Sequence, residues 1–233
     1  MKTLYVIPAR GGSKGIPKKN IKSLNGKPLI YYSIDVARSV AKDSDICVSS
    51  DCDEIISIVE NYGLKVPFKR PIELSTDASG TYEVLLHCLD YYESKGIYYD
   101  NVMLLQPTSP FRKKEQLLEI TRLYSEDLEM IVSVGISHQS PYFNLFEEGQ
   151  SGYLRKSKIG DFKTRQEAPV IYFYNGSIYL INVHFLRNRP LHKFERIKKY
   201  VMDDIHSIDI DTPLDWAICE TIISNGYIEN ENN

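Results

Sequence analysis

The chain has 233 residues, with 28 Lys and Arg against 31 Asp and Glu for a formal charge of -3, and 42% of its residues are hydrophobic. Those proportions describe a globular protein of one large domain, or a domain with a small insertion, able to bury a substantial core. No apolar run is long enough to span a bilayer, and Cys47, Cys52, Cys88 and Cys219 lack the C-x-x-C spacing of zinc and dithiol sites.

Buried free thiols in a reducing compartment are therefore expected. The first strand begins within a few residues, which leaves no room for a signal peptide. A cytoplasmic protein with neither a membrane nor a nucleic-acid partner is expected.

In chain order, Leu4 to Ile7 reads as a strand cut by Pro8. Pro28 opens a helix to about Ser39, with Leu29, Ile30, Ile34 and Ala37 at helical spacing. Ile46 to Val48 is a short buried strand, Glu54 to Tyr62 a helix closed by Gly63, and Val66 to Phe68 a weak strand. Thr81 to about Ser94 is a helix, Asn101 to Leu105 a buried strand, Lys114 to Ser125 a helix and Met130 to Val134 a strand. This alternation is that of an α/β fold, a doubly wound and mostly parallel sheet with ligands at the carboxyl ends of its strands.

The alternation breaks after Gly135. Residues 136–172 read as an inserted β-rich arm, because Tyr142, Phe143, Leu145, Phe146 and Tyr153 supply apolar contacts. The core resumes with a strand from Ser177 to Ile181 and another from Ile205 to Ile210. Thr212 caps a last helix starting at Pro213, and the Asn- and Glu-rich tail after Ile228 is expected to fray. The whole chain is one domain carrying that arm.

Chemistry concentrates in the loop after the first strand. Up to Ile34 there are seven Lys or Arg and no Asp or Glu. Gly11, Gly12 and Gly15 allow backbone N–H groups to approach an oxygen-rich ligand, Ser13 adds a hydroxyl, and Arg10, Lys14, Lys18 and Lys19 add charge. A bare charge run would be a solvated basic turn. Strand, double glycine, serine and lysines together point to a nucleoside triphosphate. Neither G-x-x-x-x-G-K-[ST] nor G-x-G-x-x-G is present, so the loop is neither an ordinary P-loop nor a dinucleotide fingerprint.

The stretch IPARGGSKGIPKKN, ending at Asn20, resembles the signature of the CMP-sialic acid synthetases, or acylneuraminate cytidylyltransferases, legionaminic-acid-type members included. That resemblance implies transfer of CMP from CTP to the anomeric hydroxyl of a nine-carbon sugar acid, with release of pyrophosphate. It also implies that the arm packs on a second subunit, giving a homodimer, and helps complete that subunit's sugar site. Arg10, Gly11, Gly12, Ser13, Lys14 and Lys19 would hold the nucleotide's phosphates, with Asn20 assisting and Lys19 stabilising charge at the reacting centre.

Three further stretches fit the same family. Arg70, in R-P-x-E-L-S-x-D ending at Asp77, suits a phosphate by bidentate donation, and Thr81 opens the next helix beside the nucleotide. LLQPTSP brings Gln106, Thr108 and Ser109 to a strand end, as neutral groups for sugar hydroxyls and the nucleotide, between two prolines that stiffen the loop. Arg165, Gln166, Asn175 and Tyr179 match family elements that border the sugar acid. Phe173 and Tyr142-Phe143 depart from the sialic pattern and remove cations that would face an acidic sugar, which leaves the sugar open.

In Ile208-Asp209-Ile210-Asp211, a strand end would put Asp209 and Asp211 on one face, an arrangement for Mg²⁺. A helix entry would account for Asp211 and Asp215 without a metal. Two other readings stay open at this point: a glycosyltransferase of similar architecture, and a non-catalytic nucleotide-binding protein.

Overall fold

Strand β1 (Thr3–Pro8) is followed by the short pair β2 (Ser23–Leu24) and β3 (Lys27–Pro28), then α1 (Leu29–Arg38), β4 (Ile46–Ser49) and α2 (Asp53–Asn61). Next come α3 (Thr81–Glu93), β5 (Asn101–Leu105), α4 (Lys114–Arg122) and β6 (Met130–Ile136). Beyond β6 lie the hairpin β7 (Phe146–Glu148) and β8 (Leu154–Lys156), the long β9 (Tyr172–Asn182), α5 (Val183–Asn188), β10 (Ile197–Val201) and α6 (Pro213–Ser224). This computed structural model describes residues 1–76 and 80–228; Asp77 and the tail after Ile228 lie outside the described residues.

Among the described residues the main sheet has six strands in the order β10-β6-β9-β5-β1-β4. β1 pairs in parallel with β4 and β5, and β10 in parallel with β6. β9 runs antiparallel between β5 and β6, so the sheet is mixed at its centre. The β6–β9 register slips between Val132 and Val134, and Gly176 adopts φ +72° there. That left-handed backbone suits glycine at a bulge.

Alternate strand residues feed the two faces. Ile7, Val48, Met103, Leu105 and Ile178 meet Ile30 and Ile34 of α1, Ile55 and Val59 of α2, and Leu117 and Ile120 of α4. On the other face Leu4, Val6, Cys47, Val102 and Leu104 meet Val84, Leu85, Cys88 and Leu89 of α3, with Leu186 of α5. A third cluster joins Ile16, Leu24, Leu29 and Phe111 to Ile210, Trp216, Cys219 and Ile223, and so docks α6 beneath the loop after β1. Thr212 caps α6 through a capping box with Asp215. All four cysteines are free, and Cys52 is only half-buried.

Three expectations need correction. Residues 66–68 form no strand, and the contact there is a single bridge between Ser50 and Lys69. Residues 205–210 are turn and irregular backbone rather than a strand. The sixth strand is β10, an edge strand whose central Lys198 and Lys199 face solvent. The arm is less β-rich than expected, with one exposed hairpin of two three-residue strands. No helix among the described residues is long and apolar enough to cross a membrane.

β10 is anchored by a buried carboxylate. Glu129, fully buried just before β6, accepts the backbone N–H groups of Glu195 at 2.5 Å and Arg196 at 2.6 Å, and pairs with Arg189. Burial alone would push this carboxyl up, but those N–H groups and the Arg189 charge outweigh it and hold it below its ordinary value. Glu129→Ala should therefore cost about 2–4 kcal/mol in urea unfolding at pH 7, because it strands two N–H groups and a guanidinium. The wild-type share of that stability is complete above the unfolded-state carboxylate pKa and is lost as pH falls through the lowered folded-state value. A variant difference that stays constant from pH 7 to pH 3 would contradict this account.

Candidate active site

The cleft opens at the carboxyl ends of β1 and β5, adjacent parallel strands, where α/β sheets bind ligands. It encloses about 370 Å³ and is lined by Arg10, Ser13, Lys14, Gly15, Lys19 and Asn20 on one side, and by Gln106, Pro107, Thr108, Asp209 and Asp211 on the other. Nine side chains singled out from the sequence therefore share one space: Arg10, Ser13, Lys14, Lys19, Asn20, Gln106, Thr108, Asp209 and Asp211.

The loop after β1 is fastened at several points. The side chain of Asn20 donates to the Arg10 carbonyl at 2.9 Å, which closes the loop on itself. The Gly11 N–H donates to Asp51 Oδ1 at 3.0 Å, so that amide serves the loop's own fold, while Gly12 is exposed with open space about it. Lys18 sits at φ +54°, an uncommon backbone for a side-chain-bearing residue, and turns the chain into a 3-10 turn over Lys19–Ile21. The two lysines then part. Lys18 pairs outward with Glu54 at 2.7 Å, whereas Lys19 is buried and points inward.

Lys19 Nζ donates to the Ile210 carbonyl at 2.5 Å and to Asp211 Oδ1 at 3.0 Å. The Ile210 N–H in turn donates to the Thr108 carbonyl at 2.8 Å. Gly15 lies so close to the same segment that a Cβ there would fall 2.2 Å from the Asp211 carbonyl oxygen. The segment 209–211 thus serves as a clasp between the first loop and the loop after β5, although it is not a strand.

Asp209 is half-buried, and its Oδ1 is buried without a hydrogen-bond partner. Burial pushes its carboxyl up and the nearby Asp211 adds to this, against a Thr108 hydrogen bond and the charges of Lys19 and Arg112. Gly176 lets the carboxylate approach β9, since a Cβ there would lie 3.0 Å from Oδ2. Tyr179 on β9 is pushed up to about 12 by burial and by Asp209. It meets Tyr174 edge-on at 6.1 Å between ring centroids.

Other predicted site residues act as supports in this structure or lie apart. Asn175 is buried, and its Oδ1 accepts from Ser133 at 2.6 Å while its Nδ2 donates to Ser207 at 3.0 Å. Its amide holds β6, β9 and the 202–207 turn together rather than facing the cleft. Arg70 is buried against the end of β4, with Nε on Ser49 Oγ at 3.0 Å and Nη2 on the Ser49 carbonyl. Ser109 is buried with its hydroxyl unpartnered. Thr81 is exposed at the start of α3. Arg165 and Gln166 line a different cavity, with Ile136, Ser137, His138 and Pro169 at the base of the arm.

Sequence reasoning missed Arg112. It is buried, and its Nη1 donates to the carbonyls of Gln106 at 2.7 Å and Ser177 at 2.9 Å, while Nη2 donates to Ser33. Burial lowers it to about 9, with Asp209 opposing. One guanidinium therefore ties the loop after β5 to β9 and α1. The only local signal was its place two residues after the LLQPTSP run.

Because Gly15 abuts a backbone carbonyl, Gly15→Ala should destabilise the protein by about 1–3 kcal/mol in denaturant unfolding. Gly12→Ala, in open space, should lie within about 0.5 kcal/mol of wild type. Equal effects at the two positions would mean that the clasp is looser than described.

Comparison with known proteins agrees with this architecture. The family model described as cytidylyltransferase matches residues 4–215. The CMP-N,N'-diacetyllegionaminic acid synthase of Legionella pneumophila is 34% identical over 225 residues, 96% of this chain and 97% of that protein. The N-acylneuraminate cytidylyltransferase of Escherichia coli is also 34% identical, over 95% of this chain but 52% of its own greater length. A CMP:2-keto-3-deoxy-manno-octonic acid synthetase, solved in complex with CTP, superposes with a TM-score of 0.69 at 17% identity, covering 97% of this chain and 99% of its own, and so shares the fold. With a family match over residues 4–215 and a relative 34% identical over 97% of its own length, the chain belongs to the cytidylyltransferase family.

Proposed function

We propose that this nucleotidyltransferase activates a nonulosonic acid: CTP and the sugar acid give the CMP-sugar and pyrophosphate. The observation that carries the reading is the cleft itself, in which a cationic, glycine-bearing loop faces a pair of carboxylates and a neutral hydrogen-bonding loop. The names of relatives that make CMP-N,N'-diacetyllegionaminic acid support it, as do those acting on N-acylneuraminate and pseudaminic acid. Family membership leaves the glycosyltransferase and non-catalytic readings without support.

In this mechanism the anomeric oxygen attacks the α-phosphorus in line. A new O–P bond forms as the bond to the bridging oxygen of the β-phosphate breaks, pyrophosphate departs and the hydroxyl proton passes to solvent. Arg10, Ser13 and Lys14 hold the phosphates, and the Lys19 ammonium stabilises charge developing at the reacting centre. Gln106 and Thr108 orient the sugar, and the stiff proline-flanked loop that carries them limits the entropy lost on binding. Tyr179 forms part of the sugar's wall. Asn175, Ser109, Arg70 and Arg112 keep these groups in place from behind.

Cytidylyltransferases generally use a divalent cation. The pair Asp209 and Asp211 fits a hard ion, because Asp209 Oδ1 is buried without a partner and Asp211 is largely open to solvent. No group of three or more acidic, His or Cys side chains suited to a metal occurs among the described residues, so substrate phosphates would complete the shell. We infer Mg²⁺, which when bound would neutralise phosphate charge and favour loss of the sugar hydroxyl proton.

Pyrophosphate release tests the reading directly, with CTP, Mg²⁺ and a panel of sialic, legionaminic, pseudaminic and eight-carbon Kdo acids. Release is expected with at least one nonulosonic acid, and Asp209→Asn and Asp211→Asn should each lower it roughly a hundredfold. No release with any of the acids would overturn the proposed activity.

Assembly is proposed on separate grounds. The arm and the start of β9 expose Phe146, Tyr153, Leu154, Ile159, Phe173 and Tyr174, large apolar side chains gathered in one stretch of the chain. A homodimer through residues 136–172 and the adjoining start of β9 would cover these side chains, with the arm that carries Arg165 and Gln166 at the interface. Light scattering should give twice the chain mass at assay concentration. A stable, fully active monomer would rule out a shared sugar site.

A further inference from the structure

We propose that Lys19 and a divalent cation compete for the Asp211 carboxylate, so that cation affinity depends on where the Lys19 ammonium sits. This rests on the cation site proposed above at Asp209 and Asp211. The Lys19 side chain is 11% exposed, with Nζ bonded to the Ile210 carbonyl at 2.5 Å and to Asp211 Oδ1 at 3.0 Å. Asp211, by contrast, is 74% exposed and open to an ion from solvent. A cation arriving before the nucleotide therefore meets a buried positive charge on one of its two carboxylates.

The backbone is arranged to keep Lys19 there. The left-handed turn at Lys18 sends that residue out to Glu54 and drives Lys19 inward. The Ile210 carbonyl gives Lys19 a second, uncharged partner, so its inward position does not depend on Asp211 alone. Asp209 is different, since its Oδ1 has no protein partner to give up. A Thr108 hydrogen bond and the charges of Lys19 and Arg112 act on Asp209 as well, so what sets Asp211 apart is its direct contact with the ammonium.

A triphosphate offers Lys19 a partner of higher charge. When Lys19 turns to the phosphates, Asp211 is released to the cation, and one internal ion pair is exchanged for two ligand contacts. By linkage the effect is reciprocal: whatever factor the nucleotide adds to cation affinity, the cation adds to nucleotide affinity. The exchange makes cation-free and nucleotide-free half-sites weak, and the doubly occupied cleft strong.

The test needs neither sugar nor turnover. Mn²⁺ binding to wild type and Lys19 variants is titrated by electron paramagnetic resonance without nucleotide, with thermal unfolding to check that each variant is folded. Lys19→Gln retains a donor for the Ile210 carbonyl but loses the charge, and should bind Mn²⁺ about tenfold more tightly than wild type or better. Lys19→Met provides a second neutral side chain and should behave alike. Lys19→Arg keeps the charge and should stay near wild type.

Adding Asp211→Asn to Lys19→Gln should abolish the gain. Neutral variants no tighter than wild type would overturn the proposal, and so would a gain that survives Asp211→Asn. If wild type releases pyrophosphate while the titrations stay flat, the competition alone fails. If no sugar acid supports release, the proposed activity fails while the Mn²⁺ comparison still decides this point.

Discussion

In this structure the cleft is drawn together by one contact, the Lys19 ammonium seated on the Ile210 carbonyl and the Asp211 carboxylate, which joins residues 191 and 192 positions apart in the chain. A largely buried lysine is costly unless it is paired, so this contact strongly favours a single arrangement of the loop after β1. The same segment takes the close approach of Gly15 and bonds to Thr108, so three stretches distant in sequence are drawn to one place. Beneath them Ile16, Ile210 and Trp216 share an apolar cluster, which gives the polar clasp a dry floor. Docking of α6 and closure of the cleft are thus parts of a single packing event.

Behind the cleft lies a second tier of polar groups whose work is mechanical. Arg112 reaches two carbonyls and a serine hydroxyl, Asn175 reaches Ser133 and Ser207, and Arg70 reaches Ser49. Each is buried and each bridges separate elements. Such networks strengthen in a low-dielectric interior and impose rigidity when satisfied. A reaction whose catalysis is mostly placement of charge benefits from walls that do not move.

Much of this was legible from local signals. The loop of residues 10–20 stands out because its glycines and cations fall within one short stretch, and Thr212 is readable because a cap acts over three residues. What resisted reading was set by distant partners. Arg112 looks like a surface cation until Ser33 and Ser177, 79 and 65 residues away, are brought to it. Asn175 resembles a substrate contact, but its amide is spent inside the fold. β10 was hidden because an edge strand exposes its middle lysines, whereas Ile205, Ile208 and Ile210 imitate a strand while packing from turn and irregular backbone against α6. Periodicity reports burial, and it reports strands only when burial and pairing coincide.

The arm leaves the sheet from Ile136 and returns at Tyr172, residues that face each other in the β6–β9 ladder. Topologically it is a hairpin connection whose mouth is already shut by the core. The entropy of closing such a loop grows only with the logarithm of its length, roughly 0.6 kcal/mol for each doubling. The segment can therefore be lengthened, shortened or exchanged between relatives at little thermodynamic penalty, leaving the register of the central strands untouched. A chain built this way can vary that segment as a cassette, while the sheet and the cleft at its strand ends stay constant.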